Sequence, residues 1–168
     1  MTKKQFDEIM DRVGQEIRSA GLETRIISSQ DGELLRTVTP CGEDGNGSAV
    51  ADITTVVTPA GTEVAQIYFT LTADLTDAAA AELRKTFPAL NFYTMIGSYG
   101  IYNENQVYYK YAVPLSEIDD SELRAGEILD AYAVAYEFLS QSYDIIMALA
   151  DGRIDHQEIV SRKLIPEL

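Results

Sequence analysis

Between Asp119 and Ala150 the chain carries an apolar stripe too long for a small core to hide easily. Ala125, Leu129, Tyr132, Tyr136, Leu139, Tyr143, Ile146 and Ala150 recur at steps of three or four, and Ala133, Phe138, Ile145, Met147 and Leu149 widen the stripe. Asp119, with Glu122 three residues on, supplies a capping box for the start of the helix. Unbroken over 120–150, the helix would span about 46 Å at ~1.5 Å per residue. A compact domain of 168 residues is only about 40 Å across. The helix is therefore expected either to bend near Ser140-Gln141-Ser142 or to overhang its domain. An overhanging stripe calls for a twofold copy of the chain, with Tyr132, Tyr136 and Tyr143 as the dimer or helix-packing residues.

A sheet to receive that helix is suggested by residues 90–114, LNFYTMIGSYGIYNENQVYYKYAVP, which hold six of the ten tyrosines. Aromatic and β-branched side chains suit a pleated, half-buried surface, and Asn103-Glu104-Asn105 suits a hairpin tip. Two long antiparallel strands are predicted. Alternation along the second sets Val107, Tyr109, Tyr111 and Val113 on one face and Gln106, Tyr108, Lys110 and Ala112 on the other. One of these faces can enter a core.

Elsewhere the pattern is that of alternating strands and capped helices. Thr2 and Gln5 form a capping box before Phe6, Ile9, Met10, Val13, Ile17 and Ala20, and Gly21 ends this first helix. Strands are predicted over 22–28 and 34–38, joined by a turn at Gln30-Asp31-Gly32-Glu33 and closed by Pro40. Residues 41–48, CGEDGNGS, make an exposed loop. A second hairpin, 50–58 with 63–72, folds about Pro59-Ala60-Gly61-Thr62. Thr76 and Asp77 cap a short helix over 78–86 that stops before Pro88, and the tail turns at Asp151-Gly152 and restarts as a helix at Asp155, with Glu158 as capping partner. The fold class is thus α+β: an antiparallel sheet with an N-terminal helix, a short middle helix and a long C-terminal helix packed on it. Residues 1–150 are expected to form one domain, with 151–168 a helical extension of it.

The formal net charge of −14 argues against nucleic acid, because phosphate binding needs a basic face that releases counterions, and against anionic membranes. No run approaches the roughly 20 apolar residues of a membrane span, and the start, MTKKQFDEIMDR, lacks the apolar core of a signal peptide. A single cysteine, Cys41, rules out an internal disulfide and fits a reducing compartment, so a cytoplasmic location is expected.

Chemical machinery is sparse. His156 is the sole histidine, so any Ser-His-Asp or Cys-His arrangement must use it, and the only thiol lies far off in sequence. Gly97-Ser98-Tyr99-Gly100 is one residue short of a nucleophile elbow. Residues 151–158, DGRIDHQE, match the second half of a calcium loop, but Met147 and Leu149 stand where its first oxygen ligands would be. Asp44, Asn46 and Ser48 alternate oxygen side chains without a glutamate at the right distance, and Asn46-Gly47-Ser48 matches a glycosylation acceptor without a secretory signal. No catalytic residue, metal site or cofactor is assigned. The tyrosines remain, and Tyr93, Tyr99, Tyr102 and Tyr108 are the candidate partner-binding residues, since tyrosine offers large contact area at small entropic cost.

The order of elements, and in particular LNFYTMIGSYGIYNENQVYYKYAVPLSE followed by a long helix, resembles the type III secretion chaperone-like superfamily. That group includes acidic secretion chaperones and the bacterial sensory transduction regulator family. Its members show an asparagine near the end of the second helix, then a strand, a turn and a strand with an aromatic or basic residue, much as Asn91, Tyr109 and Lys110 stand here. The resemblance implies helices on one side of an antiparallel sheet, frequent dimerisation, and binding of other proteins in place of catalysis. This chain departs from the secretion chaperones in having four strands before the second helix where they have three, and in its tail after Ala150. A non-enzymatic interaction or chaperone-like module that binds a protein or peptide is therefore expected. The alternative is a small-ligand domain with its pocket beneath the tyrosine-rich hairpin.

Overall fold

Strict alternation along the strands decides the architecture, because every second side chain can be hidden by a single layer of helices. The computed structural model describes residues 1–29 and 32–165. Helix α1 (Lys3–Ser19) is followed by strands β1 (Thr24–Ser29), β2 (Gly32–Cys41), β3 (Gly47–Val57) and β4 (Glu63–Thr72), then by α2 (Asp77–Tyr93). Strands β5 (Ser98–Tyr102) and β6 (Gln106–Pro114) come next, then α3 (Ser121–Ala150) and α4 (His156–Ser161). The six strands form one antiparallel sheet in the order β1-β2-β3-β4-β6-β5.

Leu35, Ala51, Ile53, Ala65, Ile67, Phe69, Val107 and Tyr109 make the hidden face, all fully buried or nearly so. Against it α3 lays Ala125, Ile128, Tyr132, Ala135, Leu139, Tyr143, Ile146 and Leu149. Phe69 stacks on Tyr132 with ring centroids 5.7 Å apart. Helix α1 packs beside α3 through Ile9, Met10, Val13 and Ile17, while α2 adds Leu83, Phe87 and Leu90 near β5. The tail belongs to the same core, with Ile159 and Ile165 buried.

The long helix is unbroken. It runs on through Ser140-Gln141-Ser142, and its far half does not overhang, with Leu139, Tyr143, Ile146 and Leu149 buried. Three tyrosines latch it to the distal ends of β2 and β3. The Tyr132 hydroxyl meets Thr39 Oγ1 at 2.6 Å, and that of Tyr136 donates to the Pro40 carbonyl at 2.8 Å. The Tyr143 hydroxyl accepts from the Ser48 N–H and donates to the Ser48 carbonyl, both at 3.1 Å. The stripe is covered by its own chain, so the step from an overhang to a twofold partner loses its premise. At the other end, the Arg124 guanidinium donates to Glu63 at 2.6 Å and to the Ile118 carbonyl at 3.1 Å.

Several boundaries differ from expectation. The middle helix runs 17 residues to Tyr93, through Pro88 and into residues expected to be strand. Pro88 leaves the Arg84 carbonyl without an intrahelical donor, but both residues face solvent, where water serves. The buried stripe Leu83, Phe87, Leu90 outweighs that loss, and the first strand of the hairpin shrinks to Ser98–Tyr102. Strand β2 runs through Pro40, beyond its last β1 partner, Thr37, where one edge is unpaired and a missing N–H is tolerated. The cap of α3 is Asp120, whose carboxylate accepts from Glu122 N and Leu123 N, while Asp119 instead accepts from Gln5. The turn predicted at Gln30-Asp31 lies outside the described residues.

Edge strand β5 is protected by a side chain. Asn91 Oδ1 accepts from Tyr99 N at 2.7 Å and Asn91 Nδ2 donates to the Tyr99 carbonyl at 3.0 Å, occupying backbone groups that a further strand would use. Gly97, at φ 70°, makes the bend into this strand where a Cβ would also strike the Tyr109 ring and the Lys110 carbonyl.

Two outcomes follow. Asn91→Ala is expected to cost about 1–3 kcal/mol by stripping both bonds, and to make the mass seen by light scattering rise with concentration; unchanged urea stability would contradict it. A Cβ on Gly47 would lie 2.5 Å from the Tyr143 ring. Gly47→Ala should therefore cost about 1–3 kcal/mol by overpacking, and most of that cost should vanish in a Tyr143→Ala background, as a double-mutant cycle by urea denaturation would show.

Candidate functional site

Among the described residues nothing covers the sheet face turned away from the helices. From β2 to β6 the outward positions include Arg36 and Val38, Val50 and Asp52, Gln66 and Tyr68, Tyr108 and Lys110, and Gly100 and Tyr102; none of the described outward residues is buried. Tyr68 and Tyr108, diagonal neighbours on β4 and β6, stack with ring centroids 4.7 Å apart and planes at 22°. The Tyr108 ring lies over Gly100, where any Cβ would collide with it. Tyr102, 55% exposed, completes the cluster. Burial pushes the Tyr68 hydroxyl up to about 12, and the neighbouring Tyr108 and Tyr102 hydroxyls push the same way. Gln106 ties the cluster to the sheet by donating to Thr70 Oγ1 at 2.8 Å.

Beside the aromatics runs a charged row fixed by the register: Arg25, Arg36, Asp52, Tyr68, Lys110 and Ser98 lie opposite one another across the six strands. Arg36 holds Asp52 through two bonds of 2.6 and 2.7 Å, and the carboxylate raises the guanidinium further above its ordinary value. Arg25 and Lys110 form no ion pair among the described residues.

The predicted tyrosines thus divide. Tyr102 and Tyr108 lie on the open face. Tyr93, 44% exposed, sits at the end of α2 in an edge-on pair with Phe92, next to the strongly exposed Met95. Tyr99 is a correction: it is 4% exposed, stacks on Phe87, and its hydroxyl meets Ser142 Oγ at 2.5 Å, so it is core and not surface. The shortened β5 places it on the hidden side opposite Tyr109. Tyr132, Tyr136 and Tyr143 pack α3 onto its own sheet. Tyr68 went unnoticed among the candidates, although its alternation with Ile67 and Phe69 put it outward in the sequence itself.

Beneath the hairpin the space is filled by Tyr99, Tyr109, Phe87 and Phe69, and the Tyr109 hydroxyl donates to the Ile96 carbonyl at 2.7 Å. Hollows lie elsewhere. One of about 470 Å³ opens between the β3–β4 turn and the starts of α1 and α3, around Glu63 and Arg124. There the Met1 amino group and Arg124 hold the Glu63 carboxyl below its usual range, against the opposing effect of burial. Another, about 340 Å³, is lined by Glu43, Asp44, Asn46 and Asp144, where Asp144 accepts from the Glu43 N–H. Among the described residues no group of three or more His, Cys, Asp and Glu is placed to hold a metal ion. Asp155 is occupied in capping α4, and Asp151 accepts from Arg153.

Cys41 and His156 have separate partners. The thiol reaches the Thr39 carbonyl at 3.6 Å, and His156 Nδ1 meets Thr86 Oγ1 at 3.0 Å, while the His156 N–H donates to Glu82. No helix among the described residues is long and apolar enough to cross a membrane.

No protein-family model matches the sequence, and no curated protein does. A solved structure of YbjN, a proposed transcription regulator from E. coli, is similar at 14% identity with a TM-score of 0.49, covering 85% of this chain and 93% of that one. Neither result names the secretion chaperones that the sequence pattern resembles.

Burial lifts the Cys41 thiol to about 11 and the Tyr99 hydroxyl to about 12. Both are raised, so the stability they give is complete below their unfolded values, near 8.5 and 10, and is lost as pH climbs through the folded ones. Denaturant midpoints should fall steadily above about pH 9. At pH 8 a thiol reagent should label Cys41 only at the rate of unfolding; immediate labelling of the native protein would refute this.

Proposed function

We propose that this protein is a non-enzymatic interaction module that holds a protein or peptide partner on the open face of its sheet. One observation carries the reading. All of the helical layer lies on one side of a six-stranded sheet, and the bare side bears a stacked tyrosine cluster beside Val38, Val50 and Lys110 in place of a uniformly polar surface. An antiparallel sheet can leave one face to water, but three tyrosines gathered there offer the rigid aromatic area typical of binding hot spots. The area suffices. Five strand spacings of ~4.8 Å by about nine residues of ~3.3 Å give on the order of 700 Å², close to one side of a standard-sized protein interface.

A chaperone-like role, in which an unfolded or secreted segment is held in this way, is the finer reading suggested by the resemblance to the secretion chaperone-like superfamily. The absence of a catalytic arrangement among the candidates supports binding over chemistry. His156 is engaged with Thr86, and the Cys41 thiol is kept protonated by burial.

Photo-crosslinking in cells tests the proposal. With p-benzoylphenylalanine in place of Tyr108, discrete adducts of defined mass are expected, and the same group at Glu137, on the solvent side of α3, should give none. Equal labelling at both positions, or none at position 108, would overturn the open face as the binding surface.

A further inference from the structure

The open face differs in charge from the molecule that carries it. Against a formal net charge of −14, the ionic residues among its described strand positions are three cations, Arg25, Arg36 and Lys110, and a single anion, Asp52. Arg36 is neutralised by Asp52. Arg25 and Lys110 are left over on one register row, four strand spacings or about 19 Å apart. Rows of uncharged side chains flank them: Ile27, Leu34, Thr54, Gln66 and Ala112 on one side, Val38, Val50, Thr70 and Tyr108 on the other. Resting on the reading of this face as a partner site, we infer that its occupant is an acidic protein segment, which sets apolar side chains on the flanking rows and carboxylates over Arg25 and Lys110.

Charge complementarity selects this occupant over the two obvious others. A second copy docked face to face would bring each Arg25, Arg36 and Lys110 against the same cations, with only Asp52 to offset them. A nucleic acid would present a phosphate every few ångströms to two free cations on a strongly acidic body, so most of its charges would meet repulsion. A peptide can carry two carboxylates and nothing more. A separation of ~19 Å corresponds to about 13 residues of helix or about 6 of extended chain. The inference runs against bulk electrostatics, since the field of a −14 protein favours basic ligands everywhere else.

A random 16-residue peptide library displayed on phage, selected on the intact chain, tests it. Face-directed peptides are those weakened by Tyr68→Ser/Tyr108→Ser. They should be acidic, and Arg25→Glu/Lys110→Glu should weaken them about tenfold or more by fluorescence anisotropy at low salt. The neutral pair Arg25→Gln/Lys110→Gln, with unchanged thermal midpoint, should give a smaller loss and serves if the reversed pair fails to fold. Face-directed peptides that are neutral or basic would overturn the acidic occupant and leave the face intact as a binding surface. Peptides indifferent to the tyrosine pair would overturn both. Binding of oligo-dT that the charge reversal abolishes, or a dimer that Tyr108→Ser dissolves, would replace the acidic segment with nucleic acid or with a second copy.

Discussion

The latch between α3 and the far ends of β2 and β3 is the interaction from which the rest of the arrangement follows. A 30-residue helix with a continuous apolar stripe must find cover along its whole length. The sheet supplies it only because the Tyr132, Tyr136 and Tyr143 hydroxyls find partners in Thr39, Pro40 and Ser48. Without its partner the Tyr132 phenol would be an unsatisfied buried polar group, while the part-buried Tyr143 hydroxyl and the exposed Tyr136 hydroxyl would each lose a bond that ties the helix to the sheet. The close approach also explains the absence of a side chain at Gly47, which is where the Tyr143 ring lies.

Once α3 occupies the middle of one sheet face, α1 and α2 have places only beside it, and α4 only beside α2. Among the described residues no element is left to cover the other face. One-sided cover is therefore not an independent feature of the fold but a consequence of chain length spent on a single long helix. It also separates charge. The carboxylates of Glu8, Asp11, Glu122, Asp130, Glu137 and Asp144 line the outer surfaces of the helices, while the uncovered strands keep Arg25, Arg36 and Lys110.

Periodicity made most of this legible. The capping box at Thr2 and Gln5, the alternation through β4 and the caps at Thr76 and Asp155 each report local physics that the tertiary structure did not override. The failures share a cause: a local signal outweighed by burial several residues away. Pro88 argues for a helix end, yet Phe87 and Leu90 fill the space beside β5 and carry the helix onward. Residues 90–93 have strand-like composition, yet Asn91 is worth more as a helical side chain that closes the edge of β5 than as a residue within it. Helix length alone suggested an overhang, because a diameter computed for a sphere says nothing about which axis of a flattened sheet the helix follows.

Tyrosine shows how far such reading can reach. Tyr68 and Tyr99 have the same chemistry, and burial raises both hydroxyls to about 12, yet one belongs to the surface and the other to the core. Strand parity and the start of β5 make the difference. Tyr68 alternates with Phe69 on a strand whose bounds were plain, so its outward position followed from the sequence. Tyr99 sits one residue into a strand whose start depends on where α2 stops, and a shift of one position would exchange its face with that of Ser98. The burial of Tyr99 is secured by Phe87, Ser142 and Asn91, none of which lies on the strand itself. The open face owes its composition to the same parity: had β6 slipped by one residue, Tyr109 would take Tyr108's place on it and Lys110 would be turned toward the core.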